Sequence, residues 1–464
     1  DLADFFGSTS FSFDPVAMYD PLVDRYVVAS AEHDPAERDF LNIAVSDDND
    51  PTGTWYTYRI ETSSYCDYND FPNLGSGPDA YYIATDCFGW PGGNQITIFE
   101  KAPMLNGDPI TIQNIKTSNW FNSVGSTKMY DSGAQAAYFA SAHTVGSPNV
   151  MLYAITDPLG SPQLHSIAVN VGSFSQPPDA QQQGTSNRAD TIDYRIKNGV
   201  VRGGFMYICH TVAGGDGAAK ARWYKIDLKG WPYGQNPVKV DGGDVDPGYN
   251  IDTWFGDINV DSSGNVAMAV NRSSPNELIG VYRTFRLETD PAGTMRQVVE
   301  MQTSTTPELG DRWGDYGGLE EDPAEPGTFW NHHEYRTSSW RTWMGHFAVS
   351  DGIKLTNLTQ LVPGSLATIE VTNAGPGERI WFLYSLAGEG NGPSVPQLGG
   401  LQLGILEPVE ILGSAVADDS GTATFETMVP GGAPPVQVWF QAVTPRGTGG
   451  DRSVASNVTT DTIQ

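Results

Sequence analysis

The chain has 464 residues and a formal charge of −29, from 55 Asp and Glu against 26 Lys and Arg. That balance excludes a basic groove for nucleic acid and electrostatic docking on an anionic membrane, and no apolar run is long enough to span a bilayer. Gly (52) and Pro (31) are plentiful and aromatics make up 11%, so short β-strands broken by many turns are expected, with length enough for two cores.

The opening, DLADFFGSTS, has neither a basic nor an apolar leader stretch. It reads as the mature form of an exported protein, secreted or held at the cell surface. A repeat of about fifty residues follows, each copy with a strand A, a turn, a returning strand B and outer strands. The first copy runs SFSFDPVAMYD, a turn at Pro21–Asp24, RYVVASAEH ending at His33, FLNIAVS and TWYTYRI. The second has a short A strand around Pro72–Gly77, then AYYIATDCF, NQITIFEK and ITIQNI. The third is NSVGSTKMYDS, AAYFASAHT ending near His143, VMLYAIT and QLHSIAV. A Gln-rich loop (Gln176–Asn187) leads to the fourth: RADTIDYRIK, GGFMYICHT ending at His210, ARWYKIDL and a strand near Val238–Val240. The fifth is WFGDINVD, VAMAVNRS ending at Arg272, GVYRTFRL and MRQVVEMQ. The sixth is the sharpest, RWGDYGGLEEDPAEPGTFWNHHEY followed by WRTWMGHFAV.

Repeats of three or four antiparallel strands at this period predict an all-β chain with a six-bladed β-propeller over residues 1–350, seven blades being the alternative count. The sixth copy shows only three strands, so Asp4–Ser10 is expected to supply the missing outer strand and close the ring. After Asp351 the repeat stops. Short alternating strands punctuated by Gly and Pro predict a small immunoglobulin-like β-sandwich over 352–464, with an accessory or anchoring role. Asn357 and Asn457 lie in Asn-x-Thr sequons.

The segments DPTGTWYTYRI, FPNLGSGPDAYYIATDCF, RWYKIDL, FGDINVDSSGNVAMAVNRSS and GDRWGDYGGLEEDPAEPGTFWNHHEY resemble secreted bacterial propeller proteins of the sialidase-like, BNR-repeat kind. Ser46–Trp55 loosely resembles their Asp-box hairpin, with Trp55 expected to plug a blade interface. The resemblance implies a secreted propeller and carries no settled activity. A sialidase would open its first strand on Arg-Ile-Pro, where this chain has SFSFDP, which argues against sialic acid hydrolysis.

In a propeller the start of strand A and the end of strand B share one face. Strand-B ends carry His33, Asp86 with Cys87, His143, His210, Asn271 with Arg272, and His332, His333 and Glu334. Strand-A starts carry Asp193, Trp254, Asp257, Arg312, Trp313 and Asp315. Either the histidines merely cap strand ends, or they line a functional mouth. A mouth admits three uses. Histidines from facing blades would bind a transition metal, with no ligand set singled out; His210 and His333 would do acid–base work with Glu334 or Tyr335; or Trp254 and Trp313 would stack on a sugar while Arg272 and Arg312 hold a carboxylate or sulfate, with His33, His143 and Asp315 as further ligand-binding positions. No cofactor is certain; calcium in acidic turns such as DSSGN and DPAGT is the alternative to plain turn chemistry. Cys66 and Cys87 lie at adjoining strand ends and are expected to form a disulfide, while Cys209 sits inside an apolar strand as a free thiol.

These features favour binding of an extracellular ligand, a glycan or cell-surface component. The alternatives are a polysaccharide hydrolase or lyase using the mouth histidines with Tyr335 or Glu334, and a structural cell-surface or matrix protein.

Overall fold

Alternating apolar and polar residues between Gly, Pro and Asp turns leave this chain few options besides antiparallel strands. The computed structural model describes all residues except 1, 9, 35, 37, 91, 118–122, 143–145, 297, 311, 350–351, 373, 375–376, 419–421, 447 and 451–452. Two compact units result, Asp1–Val349 and Ser350–Gln464.

In the first unit, consecutive strands pair as antiparallel meanders. The first sheet is β1 (Phe11–Asp20), β2 (Arg25–His33), β3 (Asp39–Ser46) and β4 (Trp55–Glu61). The second is β5 (Tyr68–Ser76), β6 (Ala80–Phe88), β7 (Gly93–Glu100) and β8 (Ile112–Lys116). The next two meanders are β9 (Gly125–Met129) to β12 (Gln163–Asn170), through β10 (Ala137–Ala142) and β11 (Asn149–Thr156), and β13 (Asn198–Arg202) to β16 (Val238–Asp244), through β14 (Phe205–Ala213) and β15 (Ala219–Asp227). They join into one eight-stranded sheet because β9 and β13 pair in parallel. Then come β17 (Asp252–Val260), β18 (Val266–Ser274), β19 (Glu277–Arg286) and β20 (Val299–Thr303), and last β21 (Gly318–Glu321), β22 (Thr328–Arg336) and β23 (Trp340–Ala348). The first strands of successive meanders pack side by side, from β1 with β5 through to β17 with β21. Meanders radiating from abutting inner strands are the arrangement of a β-propeller. The last meander meets the first through the Tyr316 hydroxyl, which donates to Asp14 Oδ2 at 2.7 Å. Lys128 of β9 reaches Glu320 of β21, and Tyr130 donates to Asn259 at 3.0 Å, so side chains fill the space between the inner strands.

Two expectations need correction. Leu2–Phe6 is a short helix, α1, not a strand. Gly7 at φ 66° ends it, and Phe5 packs edge-on against Trp55 of β4, in the first sheet. The β21–β23 sheet therefore gains no fourth strand from this segment. In the fourth meander the inner strand is Asn198–Arg202, not RADTIDYRIK. Asp190 and Asp193 accept hydrogen bonds from the backbone N–H of Ile192 and Arg195, and Ile192 has φ 60°, so the segment turns where its alternation suggested a strand.

Cys66 and Cys87 are bonded, with Cα atoms 5.6 Å apart, as their strand-end positions require. The bridge closes a loop of 21 residues, which is worth about 3 kcal/mol in chain entropy. Cys209 is buried and its thiol donates to the Gly256 carbonyl at 3.0 Å. Titration of thiols in denaturant is expected to find one, and three would refute the bridge.

Among the described residues, the second unit holds a two-stranded sheet, Ser394–Val395 with Leu401–Gln402, and two larger antiparallel sheets. One is Lys354–Leu358, Leu366–Thr372 and Ala423–Met428; the other centres on Arg379–Ser385 between Val409–Val416 and Gln437–Thr444. Ile369 and Val371 from the first sheet share one apolar core with Ile380, Phe382, Phe440 and Ala442 from the second.

Candidate functional site

Three inner strands break register at the same place. Between Phe13 and Val16, between Asp70 and Asn73, and between Trp254 and Asp257, two residues oppose one on the partner strand. The first of the two is a non-glycine residue with positive φ: Asp14 (51°), Phe71 (53°) and Phe255 (48°). The second is Pro15, Pro72 or Gly256. Non-glycine residues held in this region cost about 1–3 kcal/mol each, and bulges of this kind re-aim side chains beside functional sites. A conformation repeated at equivalent positions in three meanders is a built feature.

The three bulges converge on one polar cluster. Burial raises the Asp14 carboxyl above its ordinary range, opposed by the Tyr316 hydrogen bond and reinforced by the neighbouring Asp70 and Asp315 carboxylates. The Phe71 ring stacks on Tyr316 at 5.1 Å and carries the Arg195 guanidinium on its other contact at 4.6 Å. Arg195 is bidentate to Asp193, at 2.9 and 2.8 Å, and lies 3.9 Å from Asp86. Asp86, raised chiefly by burial, accepts from Ser123 and Asn94 at 2.6 Å each. Over Phe255 sits the Lys197 ammonium, 3.4 Å from the ring centre, donating to the Asp315 carbonyl. Burial pulls Lys197 down and pushes its neighbour Asp257 up. Asp257 accepts from Asn198 and lies 3.3 Å from His333 Nε2.

Beside this cluster runs a lane of rings. Phe11, 73% exposed, stacks on Phe13 at 5.6 Å; Phe13 stacks on Tyr68 at 5.9 Å; and the His33 ring leans on Tyr68 at 5.2 Å. Phe13 immediately precedes Asp14, so the lane leads to the first bulge.

The residues singled out from sequence fall into separate groups. Asp315 and Arg312 come together, Arg312 donating to Asp315 Oδ2 at 2.5 Å. His33 is half-buried in the ring lane, with Nδ1 3.7 Å from Asp39. His143 lies outside the described residues. His210 is buried; its Nδ1–H donates to the Tyr194 carbonyl at 2.9 Å and its Nε2 accepts from the Tyr224 hydroxyl at 3.0 Å. Burial holds it down at about 4, so it is neutral and fully partnered. His333 is likewise neutral, pulled down to about 4 by burial, and donates from Nε2 to the Phe255 carbonyl at 2.9 Å. The described imidazoles therefore do not share an opening, which corrects the expectation of a histidine-lined mouth or a shared metal. Strand alternation is the reason: His332 faces out and His333 in.

Trp254 and Trp313 are buried with Ala180, Ala189, Phe255 and Ile279, and Trp313 Nε1 donates to Asn271 at 3.3 Å. They pack the interior and offer no face to a sugar. Arg272 is bound to Glu277 and lies over Tyr282 at 4.7 Å, so it holds no ligand anion. Glu334 is buried and accepts from Trp340 Nε1 at 3.2 Å; Tyr335 is half-buried, its ring edge-on to Trp343 at 6.5 Å. The acidic turns are self-satisfied: Asp261 accepts from Ser263 and Asn265, and Asp290 from Leu287 and Arg296. Among the described residues, one group has metal-like geometry, Asp322, Glu325 and His346, with ligand atoms within 4.8 Å of one another. The Ser46–Trp55 hairpin has the expected Asp-to-backbone bonds, but Trp55 Nε1 donates to Pro51 in its own turn and the ring meets Phe5.

Sequence reading missed Asp14, Asp70, Phe71, Arg195, Lys197 and Tyr316. A signal existed: SFDP, NDFPN and TWFGD put an aromatic, an acid and a Pro or Gly together in three A strands.

No protein-family model and no curated protein matches the chain. Solved structures with some likeness include an endo-arabinase from Bacteroides thetaiotaomicron (14% identity, 62% of this chain and 98% of that one, TM-score 0.35). Others are a GH43 β-xylosidase/α-arabinofuranosidase from a compost metagenome (11%, 62% and 94%, TM-score 0.32) and a copper-containing fungal alcohol oxidase of the AA5 family (12%, 98% and 100%, TM-score 0.32). At these scores the likenesses transfer neither family nor chemistry.

Proposed function

We propose that the first unit is a six-bladed propeller that binds an extracellular glycan where its three strained bulges converge, and that residues 352–464 form an immunoglobulin-like accessory sandwich. The observation that carries this reading is the pairing of a ring lane, exposed at Phe11 and half-buried at Phe13 and Tyr68, with the carboxylates of Asp14, Asp70 and Asp315. Sugar rings offer C–H faces to aromatic rings and hydroxyls to carboxylates, and this surface presents both side by side. Acidic sugars fit poorly, because Arg272, Arg195 and Arg312 are already held by Glu277, Asp193 and Asp315. The disulfide accords with an oxidising, extracellular setting, and no described helix is long and apolar enough to cross a membrane.

Glycoside hydrolysis is the second reading, favoured by the Asp14 environment. A carboxyl raised by burial beside two other carboxylates is suited to donate a proton while a neighbour stays ionised. In this reading Asp14 replaces the buried histidines as the acid. Affinity electrophoresis and reducing-end assays with soluble xylan, arabinan and dextran test both. Phe11→Ala with Tyr68→Ala is expected to weaken binding about ten-fold or more. Asp14→Asn keeps one acceptor oxygen for a sugar hydroxyl, so it is expected to weaken binding less than the ring variants and, if turnover exists, to remove about 10²-fold or more of it. Binding unchanged in the ring variants would refute the site.

A further inference from the structure

The third strand of a meander is normally an interior strand. In β3, β7, β11, β15 and β19 it is paired on both sides and most of its residues are buried. The equivalent strand of the last sheet, β23, is paired only with β22, and among the described residues no strand covers its other edge. Trp340 (54%), Met344 (66%), Arg341 and Thr342 are exposed there. Edges are usually protected by Pro, a bulge or an inward charge. The register of β23 with β22 runs unbroken from Ala348 to Trp340, and WRTWMGHFA contains no Pro.

We infer that β23 is an interface with a second copy of this chain, pairing antiparallel to its own counterpart about a twofold axis at Met344. The sequence is complementary to itself in that register. Trp340 then opposes Ala348, and Trp343 opposes Gly345, large against small on both faces. Arg341 opposes Phe347, which is buried in its own core, and Thr342 opposes His346, so no like charges face each other. Charge points the same way. The chain carries 55 acids, yet Trp340–Ala348 has none, and its ionisable groups are Arg341 and His346. Two strongly acidic copies can pair along this strand without a carboxylate in either paired segment; the neighbouring Asp322 and Glu334 lie against His346 and Trp340 of their own copy. An isologous contact of this kind closes on itself and does not propagate into fibres.

Sedimentation velocity on the full chain is expected to show a concentration-dependent species of twice the monomer mass. Met344→Lys sets two like charges on the axis and is expected to leave only monomer, with an unchanged melting temperature because the side chain is exposed. Directly opposed residues have Cα atoms about 4.5–5.5 Å apart, within disulfide reach. Met344→Cys is therefore expected to cross-link into a covalent dimer at least about ten-fold faster than Tyr249→Cys, a control position that is 84% exposed. A monomer at every concentration, a dimer that survives Met344→Lys, or equal cross-linking of the two cysteine variants would each overturn the inference.

Discussion

Replacing Lys101 by Met is expected to destabilise the first unit by about 3–5 kcal/mol, the usual cost of removing one member of a buried ion pair. Lys101 opens the short helix α2 (Lys101–Met104) and is buried, as is Asp20 at the end of β1. Its ammonium donates to Asp20 Oδ2 at 2.7 Å and to the Gly77 carbonyl, and lies 4.7 Å from the Tyr81 ring centre. One cation thus ties the first sheet to the second. Without it the Asp20 carboxylate stays buried with its remaining partner, the Leu22 N–H. Urea denaturation measures the loss. Adding Asp20→Asn to Lys101→Met is expected to recover most of it, because the orphaned charge is then gone. A single variant that loses under about 1 kcal/mol would show that the pair contributes nothing net.

Glu334→Gln is expected to stabilise the protein at pH 8 and leave it unchanged near pH 4. Burial raises the Glu334 carboxyl from 4.5 to about 7, against the smaller opposing effect of the Trp340 hydrogen bond. A folded-state value above the unfolded one means that the folded state binds the proton more tightly. Stability from this group is full below pH 4.5, falls between pH 4.5 and 7, and is lost above that. The gap corresponds to about 3 kcal/mol at pH 8, where the native protein must bury the ionised form. Glutamine keeps the shape and the acceptor for Trp340 and carries no charge to bury. Melting curves of both proteins from pH 4 to 8 should therefore diverge as pH rises. Parallel curves would show that Glu334 ionises freely.

The strands were legible because their alternation and turn residues are local. AYYIATDCF and VAMAVNRS lie in β6 and β18 as their patterns predict. RADTIDYRIK misled for the same reason: Ile192, Tyr194 and Ile196 alternate like a strand, while Asp190 and Asp193 bend the backbone beneath them. His33 does end β2, but His210 and His333 lie inside β14 and β22, which run on to Ala213 and Arg336; a pattern places a strand better than its end, and it does not say which way a side chain turns, so His333 faces the core. Asp315 stood out at a strand start, but Asp14 and Asp70 did not, because the three carboxylates come from three meanders and gain meaning only when packed together.

The most direct test is a crystal structure with a bound neutral oligosaccharide. The account predicts a sugar ring against Phe11, Phe13 or Tyr68, with a hydroxyl or glycosidic oxygen within hydrogen-bond distance of Asp14 or Asp70. Sugar bound only elsewhere on the first unit, or only on residues 352–464, would contradict it.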